Sequence, residues 1–325
     1  MLFFLCYYLI LQIIFLNAQD KLIMNGKFKI TLAIATHNRK HLLEKMITSL
    51  YLSGMGNNVH LRIYDDASTD FDEDFLKKAF PDSKTILRNL VNLGPSKNMH
   101  RIFTDFISHD DDILILADSD LIFNPEWLAI VERIIGHTDG MMSLYNSVLH
   151  KGILGKIEID NVNMLNKRTI GGAGAVFKKD IIKKILSELP PSNTYDWDWS
   201  DYLVKSGIRL LVTERSYVQH IGIVGFNGGN YFGGETSGSL CDYGINFIGG
   251  NEHNEKAQGE FFNELIQIYT KEVERFKKII ISGKLLRTYH SLRSIYRLLK
   301  SKVVLKISKW VTRLSKLFIY KRNSF

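Results

Sequence analysis

The sequence contains little cysteine and little proline. Two cysteines among 325 residues cannot form a disulfide framework or a thiolate zinc site, so a reducing compartment is the simpler expectation. Five prolines exclude a proline-rich low-complexity chain, and 45% hydrophobic with 23% charged residues is ordinary globular composition. These features together exclude a disordered chain, a fibrous repeat and a multi-span membrane protein.

Acidic residues are missing from the C-terminal end. Of the 42 Lys and Arg residues, 15 follow Glu274, and no Asp or Glu lies among them. The net charge of +8 therefore combines an acidic body with a basic tail. From Leu285 to Leu317 apolar residues recur every three or four positions beside a row of bases, which predicts basic amphipathic helices within residues 256–325.

Such helices suit attachment to an anionic membrane surface, and Trp310 and Phe318 suit an interfacial depth. Packing against the body, an oligomer contact and binding to nucleic acid are the alternatives. A helix that packs against the body needs no unbroken cationic face, which disfavours packing. Nothing outside the tail suggests binding to nucleic acid. We therefore expect a membrane surface and no nucleic-acid partner.

Residues 1–23 form an apolar N-terminal segment without basic residues ahead of it, which is unlike a secretory signal. It is either a marginal membrane anchor or the product of a mis-assigned start, with translation beginning at Met24. The nearest bases follow the segment, which by the positive-inside rule keeps the body cytoplasmic. The predicted location is therefore cytoplasmic, at the inner face of a membrane and peripherally attached.

Residues 24–255 alternate between apolar strand patterns and helical spacing. The run from Lys29 to Thr36 predicts a strand, the next apolar residues have helical spacing, and the alternation continues to Pro125. This rhythm predicts an α/β fold with a mostly parallel central sheet and helices on both faces. From Thr169 to Phe177 we expect a glycine-rich strand, and the ten glycines of residues 222–250 exclude regular structure there.

Polar clusters follow three of the predicted strands, where ligands bind in sheets of this kind. They are Thr36-His37-Asn38-Arg39, Asp65-Asp66 and Asp118-Ser119-Asp120. Asp118 and Asp120 can approach one hard divalent cation, or they simply end a strand. Asp65 and Asp66 can accept hydrogen bonds from a nucleobase and a ribose, or they can form a turn.

Two features of the second half could carry chemistry. Tyr195-Asp196-Trp197-Asp198-Trp199 places carboxylates beside aromatic rings, which suits a general base and sugar stacking, although a helix N-terminus also explains it. His220 opens the glycine-rich stretch and is either a metal ligand or a structural histidine.

In this order the motifs resemble glycosyltransferase family 2, whose members are inverting nucleotide-sugar transferases of the GT-A fold. The resemblance runs from about Lys29 to His220. Residues 35–39 are similar to the opening P-T-Y-N-R pattern, residues 65–70 to D-D-G-S-T-D, and residues 92–98 to N-x-G-x-x-x-A-R-N without its arginine. Asp118-Ser119-Asp120 resembles D-x-D, residues 171–179 the glycine-rich strand, and residues 195–198 E-D-x-D with Tyr195 in place of glutamate.

The resemblance implies roles for these positions. Asp196 is the implied catalytic base, with Asp198 as the alternative, and the implied ligands of Mn²⁺ or Mg²⁺ are Asp118, Asp120 and His220. The implied nucleotide-sugar contacts are Thr36, His37, Asn38, Arg39, Asp65, Asp66, Asn92, Gly94, Lys97, Asp118, Ser119, Gly172, Ala173 and Trp197.

The implied reaction is inverting transfer from a nucleotide-diphosphate sugar, UDP by default, to a hydroxyl of a glycan, a lipid-linked acceptor or a protein. Glycan or cell-surface polysaccharide synthesis is the expected context. The alternative is a catalytically inactive, membrane-associated carbohydrate-binding or scaffold protein of the same fold. A sugar-phosphate nucleotidyltransferase is disfavoured because residues 36–39 lack the glycine-rich loop that it needs.

Overall fold

The computed structural model describes residues 28–192, 194–223 and 242–281. The described residues divide into two compact units, the first ending at residue 262 and the second beginning at residue 263. The predicted N-terminal segment 1–23 and the predicted amphipathic helices beyond residue 281 lie outside the described residues. Among the residues that are described, no helix is both long enough and apolar enough to cross a membrane.

Strands and helices alternate through the first unit, as the sequence predicts. The strands are β1 (Ile30–Thr36), β2 (Val59–Asp65), β3 (Thr85–Arg88), β4 (Ile113–Asp118), β5 (Leu121–Phe123), β6 (Met141–Ser143), β7 (Ile153–Ile159), β8 (Val162–Lys167), β9 (Ala175–Lys178), β10 (Leu210–Thr213) and β11 (Val218–His220). The helices are α1 (Lys40–Ser53), α2 (Glu73–Ala79), α3 (Pro95–Ile107), α4 (Trp127–Ile134), α5 (Lys179–Glu188), α6 (Tyr195–Lys205) and α7 (Glu252–Ile281), with a 3₁₀ turn at Ile135–His137.

Nine strands form one sheet in the order β3-β2-β1-β4-β9-β6-β10-β8-β7. β1 pairs in parallel with β2 on one side and β4 on the other, and β3 continues the parallel arrangement beyond β2. β9 and β8 run against their neighbours, so the other strands of the sheet share one direction. The predicted mostly parallel sheet is confirmed.

Helices pack against apolar residues on both faces of the sheet. On β1, Ile30, Leu32 and Ile34 join a core cluster that includes residues of α1, α2 and α4. Ala33 points into a second cluster with residues of α3, α5 and α6. Alternate residues of a strand face opposite sides of the sheet, so these two clusters confirm helices on both faces.

A separate two-stranded sheet pairs β5 with β11 in antiparallel register. Its register places His220 opposite Leu121, the residue that follows Asp120. A short ladder therefore brings a residue from late in the chain to the end of β4.

The glycine-rich stretch is shorter as a strand than the sequence suggested. Only Ala175–Lys178 forms β9, and the residues before it form a turn. Gly174 has φ 66°, and a Cβ there would lie 2.7 Å from Val218 Cγ2, so glycine serves both the turn and a close approach. Residues 242–250 contain turns and one isolated bridge, between Ser147 and Gly244.

The hairpin of β7 and β8 was not foreseen from the sequence. Its turn residues, Asp160 and Asn161, have φ 46° and 59°. A two-residue turn with both positions left-handed is a common hairpin connection, and Asp and Asn tolerate that conformation. The Asp-Asn pair between two alternating stretches was therefore an available signal.

Candidate active site

Three of the predicted polar clusters meet at one edge of the sheet. Thr36 at the end of β1 is in register with Asp65 on β2, and Ala35 is in register with Asp118 on β4. Because parallel neighbours end at the same edge, the residues that follow these strands share one rim. The rim is thus built by β1 and its two neighbours, β2 and β4.

Asp118, Asp120 and His220 lie together at this rim. His220 Nδ1 is 3.0 Å from Asp120 Oδ1, and His220 Nε2 is 3.4 Å from Asp118 Oδ2. One ligand atom from each residue lies within 4.8 Å of the others. Asp120 is buried, whereas the Asp118 side chain is 43% exposed and faces the open side.

The charges in this cluster support one another. Burial opposes the ionisation of Asp120, but the positive charges of His220 and Arg39 outweigh it and hold the pKa of its carboxyl well below the usual range. Burial also opposes the charge on His220, yet the Asp120 and Asp118 carboxylates raise the pKa of its imidazole well above the ordinary value. The arrangement favours two carboxylates facing a protonated imidazole.

These residues fit a divalent cation. Asp120 Oδ1 is buried and faces His220 Nδ1 at 3.0 Å, so a cation between them would replace the proton of the imidazole. Two carboxylates and an imidazole form a donor set that suits Mn²⁺ or Mg²⁺ with water and phosphate oxygens completing the shell. Binding there would require the imidazole to lose its proton.

Arg39 contacts the acidic pair directly. It follows β1 in a left-handed conformation with φ 61°, and its Nη1 donates to Asp120 Oδ2 at 2.7 Å. We predicted Arg39 as a donor contact, and the structure places its guanidinium on a proposed metal ligand. Gly222 packs against Asp120 and Arg39, since a Cβ there would meet Asp120 Oδ2 and lie 3.0 Å from Arg39 Nη1.

The carboxylates of Asp65 and Asp66 are both used inside the protein. Asp65 is fully buried, accepts hydrogen bonds from Thr36 Oγ1 at 2.9 Å and from the Ser68 hydroxyl, and pairs with Arg88 at 3.2 Å. Asp66 accepts the backbone N–H groups of Leu93 and Gly94, each at 2.8 Å. These bonds give both residues a structural part at the rim, and their nucleoside contact stays a prediction.

The loop that Asp66 holds carries the predicted residues Asn92 and Gly94. Asn92 Nδ2 lies 3.0 Å from His37 Nε2, so the loops after β1 and β3 touch at the rim. Gly94 has φ 80° and precedes Pro95, the first residue of α3. Lys97 lies exposed in the first turn of that helix.

The remaining predicted donor contacts lie around the same rim. Asn38, with φ 52°, accepts the Thr69 N–H at 2.7 Å through its side-chain oxygen. Ser119 and Ala173 are buried, and a Cβ on Gly172 would lie 2.5 Å from Met99 Cε. Ser119 and Ala173 therefore have little side-chain surface to offer a ligand.

Asp196 and Asp198 lie in the first turn of α6 and differ in their partners. Asp198 accepts hydrogen bonds from the hydroxyls of Ser192 and Thr194. Asp196 Oδ1 accepts the backbone N–H of Trp197 at 3.0 Å. Burial raises the pKa of the Asp196 carboxyl despite that bond, and the negative charges of Asp118 and Asp198 add to the rise. Asp196, with a raised pKa and no hydroxyl partner like those of Asp198, is therefore the better candidate for the proton acceptor.

Sequence reasoning missed two residues beside α6. The His150 ring lies under the Trp197 ring with centroids 4.8 Å apart, and Lys167 is buried with its Nζ donating to the His150 carbonyl at 2.8 Å. Neither residue belongs to a motif. Only the unusual burial of a lysine distinguishes this region, and burial cannot be read from an isolated Lys in an alternating stretch.

Comparisons with known proteins agree with the motifs. Residues 31–139 match the model of the family described as glycosyl transferase family 2. No sequence among the curated proteins matches the chain significantly.

Solved structures with a similar arrangement include TarS residues 1–349 from S. aureus, at 18% identity and a TM-score of 0.43 over 58% of this chain and 59% of that one. A mannosyltransferase from Pyrobaculum calidifontis in complex with GDP-Man and Mn²⁺ has 16% identity and a TM-score of 0.44 over 60% of each chain. TarS 1–349 with UDP-GlcNAc aligns at 18% identity over 58% of this chain, with a TM-score of 0.43. The chain thus spans about three fifths of the length of these structures.

The matched region runs from the second residue of β1 to the turn before β6 and contains the Asp65-Asp66 and Asp118-Ser119-Asp120 motifs. The observed sheet, with both motifs at its rim, agrees with the fold that the resemblance implied. Residues 31–139 of this chain are therefore similar to glycosyl transferase family 2.

Proposed function

We propose that the chain is an inverting glycosyltransferase that moves a sugar from a nucleotide-diphosphate sugar to a hydroxyl acceptor. The observation that carries the proposal is the cluster of Asp118, Asp120 and His220 at the rim, whose ligand atoms lie within 4.8 Å of one another. Such a cluster can hold a divalent cation that stabilises a leaving diphosphate, and Asp196 is the candidate proton acceptor. The matched family model supports the class of reaction.

In the proposed reaction Asp196 accepts the proton of an acceptor hydroxyl. The acceptor oxygen then forms a bond to the anomeric carbon as the bond from that carbon to the diphosphate oxygen breaks. The nucleoside diphosphate leaves with the electron pair. Attack from the face opposite the leaving group inverts the configuration, as in other single displacements at an anomeric carbon.

The other residues of the rim hold and orient the donor. A divalent cation, Mn²⁺ or Mg²⁺, held by Asp118, Asp120 and His220 would neutralise the charge of the leaving diphosphate. Residues 36–39, 65–66 and 92–97 surround the space that we assign to the nucleoside and diphosphate. We propose UDP as the nucleotide, and a glycan, lipid-linked or protein hydroxyl as the acceptor.

Nucleotide release from a panel of nucleotide sugars, with Mn²⁺ or Mg²⁺, tests the proposal. Asp196→Asn should lower acceptor-dependent transfer by about 10²- to 10⁴-fold, the usual contribution of a general base. Asp201→Asn is the matched control, because Asp201 is on the same helix in an exposed pair with Lys205 and should leave transfer unchanged. Full transfer by Asp196→Asn would refute the base assignment.

The same assay separates the alternative of an inactive carbohydrate-binding or scaffold protein. An enzyme releases nucleotide with metal and loses this activity in Asp120→Ala, whereas a scaffold releases none. Asp198→Asn distinguishes the two carboxylates of α6. Since Asp198 is held by Ser192 and Thr194, we expect a smaller loss of transfer than for Asp196→Asn.

We also propose that the protein acts on the cytoplasmic side of a membrane, in glycan or cell-surface polysaccharide synthesis. The support is the sequence after Glu274, with its 15 bases and no acids. Flotation with vesicles tests this proposal: binding should require anionic lipid and weaken with salt. Equal binding to neutral vesicles would refute an electrostatic attachment.

A further inference from the structure

We infer that Trp197, backed by His150, is a stacking platform for a pyranose ring of the acceptor, so that the acceptor hydroxyl belongs to a glycan. This inference rests on the proposed function and names its acceptor class. It also moves Trp197 from the donor contacts predicted from the sequence to the acceptor side.

The first observation is the exposure of Trp197. Trp197 is 47% exposed, whereas Tyr195 and Trp199 of the same helix are only 1% and 0% exposed. Trp197 follows Asp196 directly. Asp196 and Trp197 both lie in the first turn of α6, so the exposed indole offers a flat apolar surface on the same turn as the proposed proton acceptor.

The second observation is the support on one side of the ring. The rings of Trp197 and His150 have centroids 4.8 Å apart at an angle of 33°, which is a tilted stack. The stack covers one face of the indole and fixes its orientation. A carbohydrate ring stacks on an aromatic face through its C–H groups, and a fixed indole loses little entropy on binding it.

The third observation is that hydrogen bonds fix the position of His150. His150 Nδ1 lies 3.0 Å from Thr169 Oγ1, and the His150 carbonyl accepts Lys167 Nζ at 2.8 Å. Lys167 is only 2% exposed, and its ammonium also lies 3.3 Å from the Ser147 carbonyl. Burying a lysine is costly, and here the ammonium is used to fix the loop that carries His150.

The space beside His150 is kept open by glycine. A Cβ on Gly171 would lie 3.3 Å from His150 Nε2, which is tighter than an ordinary contact. His150 Nε2 makes no hydrogen bond within the part of the chain that is described. Burial, with a smaller contribution from the charge of Lys167, lowers the pKa of His150 to about 4, so the ring is neutral. A neutral ring leaves no unpaired charge in this buried position behind the indole.

The alternatives explain fewer of these observations. A protein acceptor would need an extended groove, and a lipid tail would need a larger apolar surface than one indole. An incidental exposed tryptophan would need neither the ordered histidine behind it nor the buried lysine below it. A single flat aromatic surface, open on one face, matches one pyranose ring.

Saturation-transfer NMR with p-nitrophenyl pyranosides of glucose, galactose, N-acetylglucosamine and mannose tests the inference on the full chain. At least one glycoside should receive saturation at its ring protons, with at least a fivefold loss of affinity in Trp197→Ala and near wild-type affinity in Trp197→Phe. Tyr51→Ala is the matched control, because Tyr51 is an exposed aromatic residue of α1, 36% open, and should change nothing.

A parallel titration with UDP and Mn²⁺ separates this inference from the proposed function. Nucleotide binding that Trp197→Ala leaves unchanged, with loss of glycoside binding, supports the acceptor platform. Glycoside binding that survives Trp197→Ala, or nucleotide binding with no glycoside binding in the panel, overturns the platform alone. Failure to bind any nucleotide donor would overturn the proposed function itself.

Discussion

Replacing Gly222 with alanine should damage the cation cluster through a single methyl group. Gly222 lies outside the left-handed region, so alanine adds no backbone strain. Its Cβ, however, would meet Asp120 Oδ2 and lie 3.0 Å from both Asp120 Cγ and Arg39 Nη1. Either the backbone after β11 shifts, or Asp120 turns and loses its pair with Arg39.

Both routes cost a similar amount. Breaking a buried ion pair costs about 3–5 kcal/mol, and the 25% exposure of the Arg39 side chain puts this pair at the lower end. Forcing an extra methyl into a packed site costs about 1–3 kcal/mol. We therefore expect Gly222→Ala to lower the free energy of unfolding by about 2–3 kcal/mol, together with a loss of Mn²⁺ affinity.

Urea unfolding and Mn²⁺ calorimetry measure the two effects. The matched control is Gly259→Ala, since Gly259 lies within α7 and a Cβ there would meet nothing within 4 Å. Replacing a helical glycine by alanine stabilises by roughly 1 kcal/mol, so this control should shift stability in the opposite direction. A Gly222→Ala protein with wild-type stability and wild-type Mn²⁺ affinity would refute the close packing of Gly222 on Asp120.

Two further predictions concern charges near the site. Arg39→Met should tighten Mn²⁺ binding at least about tenfold in calorimetry, because a positive charge 2.7 Å from Asp120 Oδ2 repels the cation. Arg39→Lys keeps the charge and should bind Mn²⁺ with near wild-type affinity. Unchanged affinity in Arg39→Met would count against this repulsion. His150 has a folded pKa of about 4 against 6.5 when unfolded, so the unfolded chain binds the extra proton and stability falls as the pH drops from 6.5 to 4. In His150→Asn this pH dependence disappears. The difference in unfolding free energy between wild type and variant should therefore shrink by up to about 1.4 kcal/mol for each pH unit that the pH falls within that window. A difference that stays constant with pH would contradict the buried neutral ring.

The sequence predicted the features that depend on local pattern. Apolar strands that end in polar residues place Asp65 and Asp118 at the same rim, because parallel neighbours of β1 must end together. Pro95 at the first turn of α3 and the acidic first turn of α6 were likewise readable. Periodicity and end signals suffice for these elements, since each depends on its own segment.

Features that depend on distant contacts were not readable. No pattern shows that Arg39 would bind Asp120, since the contact joins residues 81 positions apart and needs the left-handed turn after β1. The same holds for Lys167, whose burial arises from the folding of β8 between β10 and β7. The extent of β9 was overestimated because glycine and alanine fit a turn and a strand equally well, and only packing against Val218 decides.

The pairing of β5 with β11 determines when, during synthesis, the residues of the cation cluster can come together. The region that matches the family model ends at residue 139, so it holds Asp118 and Asp120 but neither Asp196 nor His220. During synthesis the two carboxylates emerge about a hundred residues before the histidine that faces them. A nascent or truncated chain that ends before β11 would carry an acidic rim without its imidazole or the ladder that positions it. Competence for cation binding would then arise late, when the last strand of the small sheet closes.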